Sequence, residues 1–116
     1  MFAGHHKLNR LVAIIDRNHQ CVTDFTEDCN CLEPFSAKWK AFGWQVRTAN
    51  GHSFEQLLVA LKDVRKRRST RPLVIIADTI KGKGVSFMER NIIWHHTVPA
   101  GERLKLAREE LKYKGD

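Results

Sequence analysis

Two runs of five apolar residues stand out along the chain, Leu11 to Ile15 ending at Asp16 and Leu73 to Ala77 ending at Asp78. Short unbroken apolar runs closed by a polar residue read as parallel strands buried on both faces. Between them the period changes twice. Phe35, Trp39 and Phe42 recur at helical spacing behind Pro34, and Gly43 stands where that helix ends. Trp44 to Thr48 alternates apolar and polar positions as a short strand, closed by Asn50-Gly51. Ser53 with Gln56 three residues on is a capping-box signature, and the helix it opens places Phe54, Leu57, Leu58, Leu61 and Val64 on one stripe. Gly4 to Leu8 reads as the tail of a helix, and Glu102 to Lys112 as a last helix with Leu104, Ala107 and Leu111 on one side. Arg17 to Glu33 has no period and is a loop of the length that usually carries function; Gly82-Lys83-Gly84 is loop, and Val85 to Glu89 a short helix or turn.

The order strand, helix, strand, helix, strand predicts an α/β fold with a mainly parallel sheet. Three strands make such a sheet narrow. The expectation is therefore a partial doubly wound parallel sheet with flanking helices, residues 1–116 forming a single partial domain that corresponds to the later part of a larger one.

Composition narrows the class. With 116 residues, 42% hydrophobic and 28% charged, the chain folds as a globular unit. No stretch approaches the roughly 20 apolar residues of a membrane span, and Met1 to Arg10 lacks the pattern of a signal peptide, so a cytoplasmic location is expected. Three cysteines, an odd number, fit reduced thiols better than a disulfide scaffold. The net charge of +7 calls for anionic partners, and much of it lies in Lys62 to Arg71, which reads as a solvated helix end. A basic nucleic-acid-binding module is an alternative reading, but the stretch has no binding motif and no aromatic interleaving.

Ligands of open α/β sheets sit beyond the carboxyl ends of the strands. Two loops qualify: Asp16 to Gln20, whose oxygens suit a hard cation, and Asp78 to Gly84, whose glycines and two lysines suit the border of a phosphate group. His19, Cys21, Cys29 and Cys31 share one loop, yet their spacing misses the usual zinc pattern. No phosphate-binding P-loop, GxGxxG fingerprint or Ser/His/Asp order is present.

Taken together, His5 to Leu8, Leu11 to Asn18 (LVAIIDRN), Glu33-Pro34, Lys38 to Trp44, Asn50 to His52, Pro72 to Thr79, Lys81 to Glu89 (KGKGVSFME) and Trp94-His95 resemble transketolase. The likeness is greatest to the small N-terminal subunit of the split bacterial type, in its thiamine-diphosphate-binding domain. It runs over nearly the whole chain in order and spacing. By this resemblance, Asn18 is the amide ligand of a Mg²⁺ or Ca²⁺ ion, Gln20 gives that metal its backbone carbonyl and borders the cofactor, Val22 packs against the cofactor rings, and His95 lies near the diphosphate and the substrate as the catalytic candidate.

The departures are informative. No Gly-Asp-Gly occurs in the sequence, so the family's charged metal ligand has no counterpart here, and the chain opens where the resemblance puts the end of the helix after that motif. Thr23-Asp24 replaces the usual Asp-Gly, and His96 replaces the Gly that commonly follows the family histidine. The resemblance implies transfer of a two-carbon ketol unit between sugar phosphates, with thiamine diphosphate and a divalent metal. It also implies an oligomer with other chains, which carry the Gly-Asp-Gly segment and the pyrimidine-binding domain. The alternative is a truncated, catalytically silent interaction module.

Overall fold

The computed structural model describes residues 1–112. Its elements are α1 (Phe2–His5), β1 (Val12–Arg17), α2 (Thr26–Cys29), α3 (Phe35–Ala41), β2 (Gln45–Asn50), α4 (Phe54–Leu61), β3 (Leu73–Asp78) and α5 (Gly101–Glu110), with short 3₁₀ turns at Val64–Lys66 and Ile92–His95. The chain divides into two compact units, Met1–Arg17 with Cys31–Thr79, and Asn18–Asn30 with the residues from Ile80 onward.

The first unit holds a three-stranded sheet of order β1-β3-β2 with both pairings parallel. β3 is the middle strand, and Leu73, Val74 and Ile75 have no exposed surface. Side chains alternate along it, as strand geometry requires. Leu73 and Ile75 pack with Ala49, Ala60, Val12, Leu57 and Val64, while Val74 and Ile76 pack with Trp44, Trp39, Phe35, Ile15 and their neighbours. Helices therefore cover both faces, which makes this an α/β sheet of the expected kind.

Three readings of the hydrophobic pattern need correction. β1 is not fully buried: Ile14 is 60% exposed. The strand lies at the sheet edge, and both α3 and α4 pack on β2. On α4 the packed line is Leu57, Ala60 and, past the helix end, Val64; Phe54, Leu58 and Leu61 point to solvent. The small Ala60 side chain lets the helix approach the sheet, and the bulkier residues are left on the far side. Phe42, expected beside Phe35 and Trp39, is 46% exposed in the cap of α3, where Gly43 takes a φ of +83 and ends the helix.

The caps follow the sequence closely. Ser53 Oγ accepts the Gln56 N–H at 3.3 Å, but Gln56 Oε1 reaches past Ser53 to the Asn50 N–H at 2.8 Å, tying the helix start to the end of β2. At the other end Arg47 donates to the carbonyls of Ala60 and Lys62 at 2.6 and 3.0 Å. Gly51 lies so close to Thr79 and Asp78 that a Cβ there would collide with both.

The basic run is not simply a solvated helix end. α4 stops at Leu61, and Arg67 clamps three segments, donating to Gln45 Oε1, the Arg71 carbonyl and the Asn9 carbonyl at 2.6, 3.1 and 2.5 Å. The other five basic residues of the run, Lys62, Arg65, Lys66, Arg68 and Arg71, are exposed.

In the second unit, Gly82 takes a φ of +78, and a Cβ on it would come within 2.5 Å of the Met88 carbonyl oxygen. That close approach returns the chain so that the Arg90 N–H reaches the Lys81 carbonyl at 3.1 Å. Glu110 of α5 accepts from the Ser86 N–H and hydroxyl at 2.6 and 2.5 Å, and Ala107 is buried. Leu111, expected on the packed side, is 57% exposed.

Truncating the middle strand should cost far more than truncating the edge. Ile75→Ala is expected to lose about 2–5 kcal/mol, and Ile14→Ala under about 1 kcal/mol because it vacates little buried volume. Urea melts of the two variants check this, and equal losses would contradict the edge placement of β1.

Candidate functional site

β1 ends at Arg17, the one buried charged residue among the described residues, at 5% exposure. A buried guanidinium needs partners. Arg17 Nη2 meets Glu33 Oε1 at 3.1 Å, its charge lies 5.4 Å from the Phe35 ring centre, and its backbone carbonyl accepts the Thr79 N–H. Glu33 Oε2 in turn accepts the Phe35 N–H at 2.8 Å. The segment between Arg17 and Glu33 thus leaves and rejoins the first unit at a fixed place. Thr79 also donates its hydroxyl to the Asp16 carboxylate, so the carboxyl ends of β1 and β3 are joined.

Beyond Arg17 the chain turns on itself. Asn18 Oδ1 accepts the Gln20 N–H at 3.0 Å, and His19 takes a φ of +62. Gln20 then forms an isolated antiparallel bridge with Phe25. The bridge hydrogen bonds come from the flanking pairs, the Thr26 N–H to the His19 carbonyl and the Cys21 N–H to the Asp24 carbonyl, at 2.9 and 2.8 Å. The Gln20 carbonyl is left outside the ladder, with no hydrogen bond among the described residues. The Gln20 side-chain amide is buried and also lacks a partner there. Two neutral oxygens, Asn18 Oδ1 with its second lone pair and the Gln20 carbonyl, are the kind of donor that Mg²⁺ and Ca²⁺ take. No group of three or more His, Cys, Asp or Glu residues converges on a metal position among the described residues, so these oxygens form part of a ligand set. Val22 is 54% exposed in the same loop.

His95 closes the 3₁₀ turn Ile92–His95, and its Nδ1 lies 2.7 Å from Lys81 Nζ. An ammonium can only donate, so a neutral ring here carries its proton on Nε2 and presents it as a donor. Lys81 was legible in the sequence only as one of two lysines suited to a phosphate border; its pairing with His95 across fourteen positions left no signal in the spacing. His96 adopts a φ of −135, an ordinary conformation, and sets its ring edge-on to His95 with centroids 5.2 Å apart. Replacing the expected glycine therefore strains nothing. Asn18, Gln20, Val22 and His95 all fall in the second unit, although the hydrogen bonds of Asn18 and of His95 run to different partners. Clefts of about 570 and 490 Å³ in the first unit, one along β2 and α4 and the other beside Arg67, contain none of these residues.

The family described as the thiamine diphosphate binding domain of transketolase matches residues 1–116. The chain belongs to the transketolase family. It is 39% identical over 110 residues to an apulose-4-phosphate transketolase subunit of Actinobacillus succinogenes, covering 95% of this chain and 39% of that protein. It is 38% identical over 115 residues to the 6-deoxy-6-sulfo-D-fructose transketolase subunit SqwG of a Clostridium species, covering 99% of this chain and 42% of that one. The crystal structure of transketolase from Campylobacter jejuni superposes with a TM-score of 0.79 at 31% identity, covering 96% of this chain and 17% of that one. This transketolase-family chain thus spans about two fifths of the length of the curated subunits it matches.

The cysteines do not form a zinc cluster. Cys31 points to the Glu33 carbonyl at 3.8 Å, while Cys21 and Cys29 meet with sulfurs 2.9 Å apart. The hydrogen bond from Cys29, aided by the backbone at Thr23, brings the Cys21 thiol down to about 7 from its ordinary 9.0, and the Cys29 thiol is pushed up by the same contact. Alkylation of Cys21 by iodoacetamide should therefore rise through a midpoint near pH 7. In Cys29→Ala, which removes the donor, that midpoint should move up toward the ordinary thiol range, as followed by mass spectrometry of the labelled peptide. An unmoved midpoint would show that Cys29 is not the cause.

Proposed function

We propose that this chain supplies the diphosphate and metal side of a transketolase active site, in an enzyme that moves a two-carbon ketol unit from a ketose phosphate to an aldose phosphate. The observation that carries the reading is the Asn18–Gln20 turn of a thiamine-diphosphate-binding domain, which leaves the Gln20 carbonyl without a hydrogen bond among the described residues and Asn18 Oδ1 with one lone pair beyond its bond to the Gln20 N–H. Thiamine diphosphate, when bound, supplies the carbanion chemistry. The chain's own residues hold and orient. Asn18 Oδ1 and the Gln20 carbonyl ligate Mg²⁺ or Ca²⁺, and Val22 offers apolar contact to the cofactor rings. His95, with its Nε2 proton directed by Lys81, donates to a phosphate or substrate oxygen and can pass that proton during transfer. The Lys81 ammonium adds positive charge beside an anionic ligand.

The charged metal ligand and the pyrimidine-binding domain lie, on this reading, outside residues 1–116. The subunit names of two relatives support a divided enzyme. Sugar phosphates and the diphosphate cofactor account for the +7 charge without nucleic acid, and the setting is cytoplasmic. Among the described residues no helix is long and apolar enough to cross a membrane.

In the enzyme assembled with its partner chain, Asn18→Ala is expected to weaken thiamine diphosphate binding about 10-fold or more at limiting Mg²⁺, with the loss recovered in part at high Mg²⁺. Calorimetric titration across a Mg²⁺ series measures it, and an affinity equal to wild type throughout would remove Asn18 from the metal site. Ketol transfer should be absent from the 116-residue chain alone and appear on mixing with the partner. A second reading, a silent interaction module, draws on the solvent-facing Phe54, Leu58 and Leu61 of α4, and it predicts that mixing restores neither cofactor binding nor transfer.

A further inference from the structure

Cys21 and Cys29 are brought together by the same reversal that frees the Gln20 carbonyl. The bridge between Gln20 and Phe25 folds the chain back, and the Cys29 N–H, bonded to the Phe25 carbonyl at 3.1 Å, fixes the end of α2 over the turn. The Cys21 side chain is held in place too. Its sulfur accepts the Asp24 N–H at 3.3 Å and lies 3.1 Å from the Asp24 carbonyl. Two sulfurs held at 2.9 Å, one beside the Gln20–Phe25 bridge and the other at the end of α2, need less than about 1 Å of approach to reach a bond of about 2.05 Å. Cys29 is exposed and Cys21 half-buried, so a small disulfide in solution can reach the pair.

The geometry points to Cys21 and Cys29 as a dithiol redox site that closes to an intraloop disulfide by exchange with a low-molecular-weight disulfide. The thiolate of one cysteine attacks a sulfur of the small disulfide, forming a mixed disulfide and expelling one small thiolate. The neighbouring thiol loses its proton to solvent, and its sulfur attacks the protein sulfur of the mixed disulfide, expelling the second thiolate. Two protein thiols are thereby oxidised by two electrons, and one small disulfide is reduced to two thiols. The bonded Cys21 sulfur loses the proton it shares with the Asp24 carbonyl but keeps a lone pair for the Asp24 N–H, so the turn needs no rebuilding. Cys31 stays outside the link, since its sulfur is directed at the Glu33 carbonyl, although as an exposed thiol it can form a separate mixed disulfide. Closure staples the segment that carries Asn18, Gln20 and Val22. The cross-link itself does not depend on their proposed role in metal and cofactor binding, though its consequence for that site rests on it.

The test treats the reduced protein with oxidised glutathione, counts free thiols and maps the linked peptides. Wild type should show Cys21 joined to Cys29; Cys31→Ser, which removes the third exposed thiol and is the background for the remaining variants, should lose two thiols and the mass of two hydrogen atoms and recover both on addition of dithiothreitol. Cys21→Ser and Cys29→Ser should instead stop at a mixed disulfide that keeps the mass of one glutathione. Stable glutathionylation of the wild-type pair, a link involving Cys31, or three unreacted thiols at equilibrium would each overturn the assignment. The outcome is separable from the proposed function, because the readout is covalent and is recorded without cofactor or metal.

Discussion

The parallel register of β3 between its two neighbours governs everything else in the first unit. Because β3 is hydrogen-bonded on both sides and its leucine, valine and isoleucines have almost no exposed surface, neither β1 nor β2 can slip by one residue without reversing a buried face. The register pairs Arg17 with Asp78, so two strands distant in sequence end level with each other. The Thr79 hydroxyl on Asp16 and the Thr79 N–H on the Arg17 carbonyl then fasten those ends. The two segments that hold the candidate site residues, from Asn18 and from Ile80, leave the sheet immediately after these fastened residues.

Arg17 extends the constraint. Its guanidinium is buried while Glu33 is about half exposed, so the ion pair adds little Coulomb energy of its own. Its weight lies in satisfying a cation that would otherwise be buried without a counterion. Since Arg17 precedes Asn18 and Glu33 leads into α3, the pair closes the base of the excursion, and the ordering cost of that long segment is reduced by fixing both its stems. Within the excursion, order comes from polar turn chemistry, the Asn18 side chain and the His19 conformation, with no apolar core of its own.

What could be read from the sequence was local. Strand positions to within two residues, the Ser53 cap, the Gly43 stop and the parallel α/β order all depend on neighbouring residues or on short periods, and the transketolase-family likeness followed from motifs in fixed order. The misread features depend on what lies across space. The single stripe read from the sequence merges two adjacent apolar lines, Phe54-Leu58-Leu61 and Leu57-Ala60-Val64, the second running past the end of α4, and only packing against the sheet selects the line with alanine in the middle. Ile14 has the same chemistry as Ile75, and only strand order makes one an edge residue. Arg67 looks like any member of a basic run until Asn9 and Gln45 are brought to it. Of the candidate residues, Asn18 and His95 were singled out by motif likeness, whereas the Lys81 contact and the meeting of Cys21 with Cys29 arise from turns that no spacing rule encodes.

The turn after Asn18 couples two chemistries that could have been separate. A bridge in which Gln20 sits at a position without ladder hydrogen bonds necessarily sends the hydrogen bonds to its neighbours, so Cys21 is committed to Asp24 and His19 to Thr26. The Gln20 carbonyl is free for the same reason that Cys21 is fixed. Straightening the turn to separate the sulfurs would return the Gln20 carbonyl to an ordinary loop conformation. A cation drawing on that carbonyl would in turn favour the bend that holds the sulfurs together. The unbonded Gln20 carbonyl and the paired sulfurs of Cys21 and Cys29 are therefore two consequences of one backbone reversal.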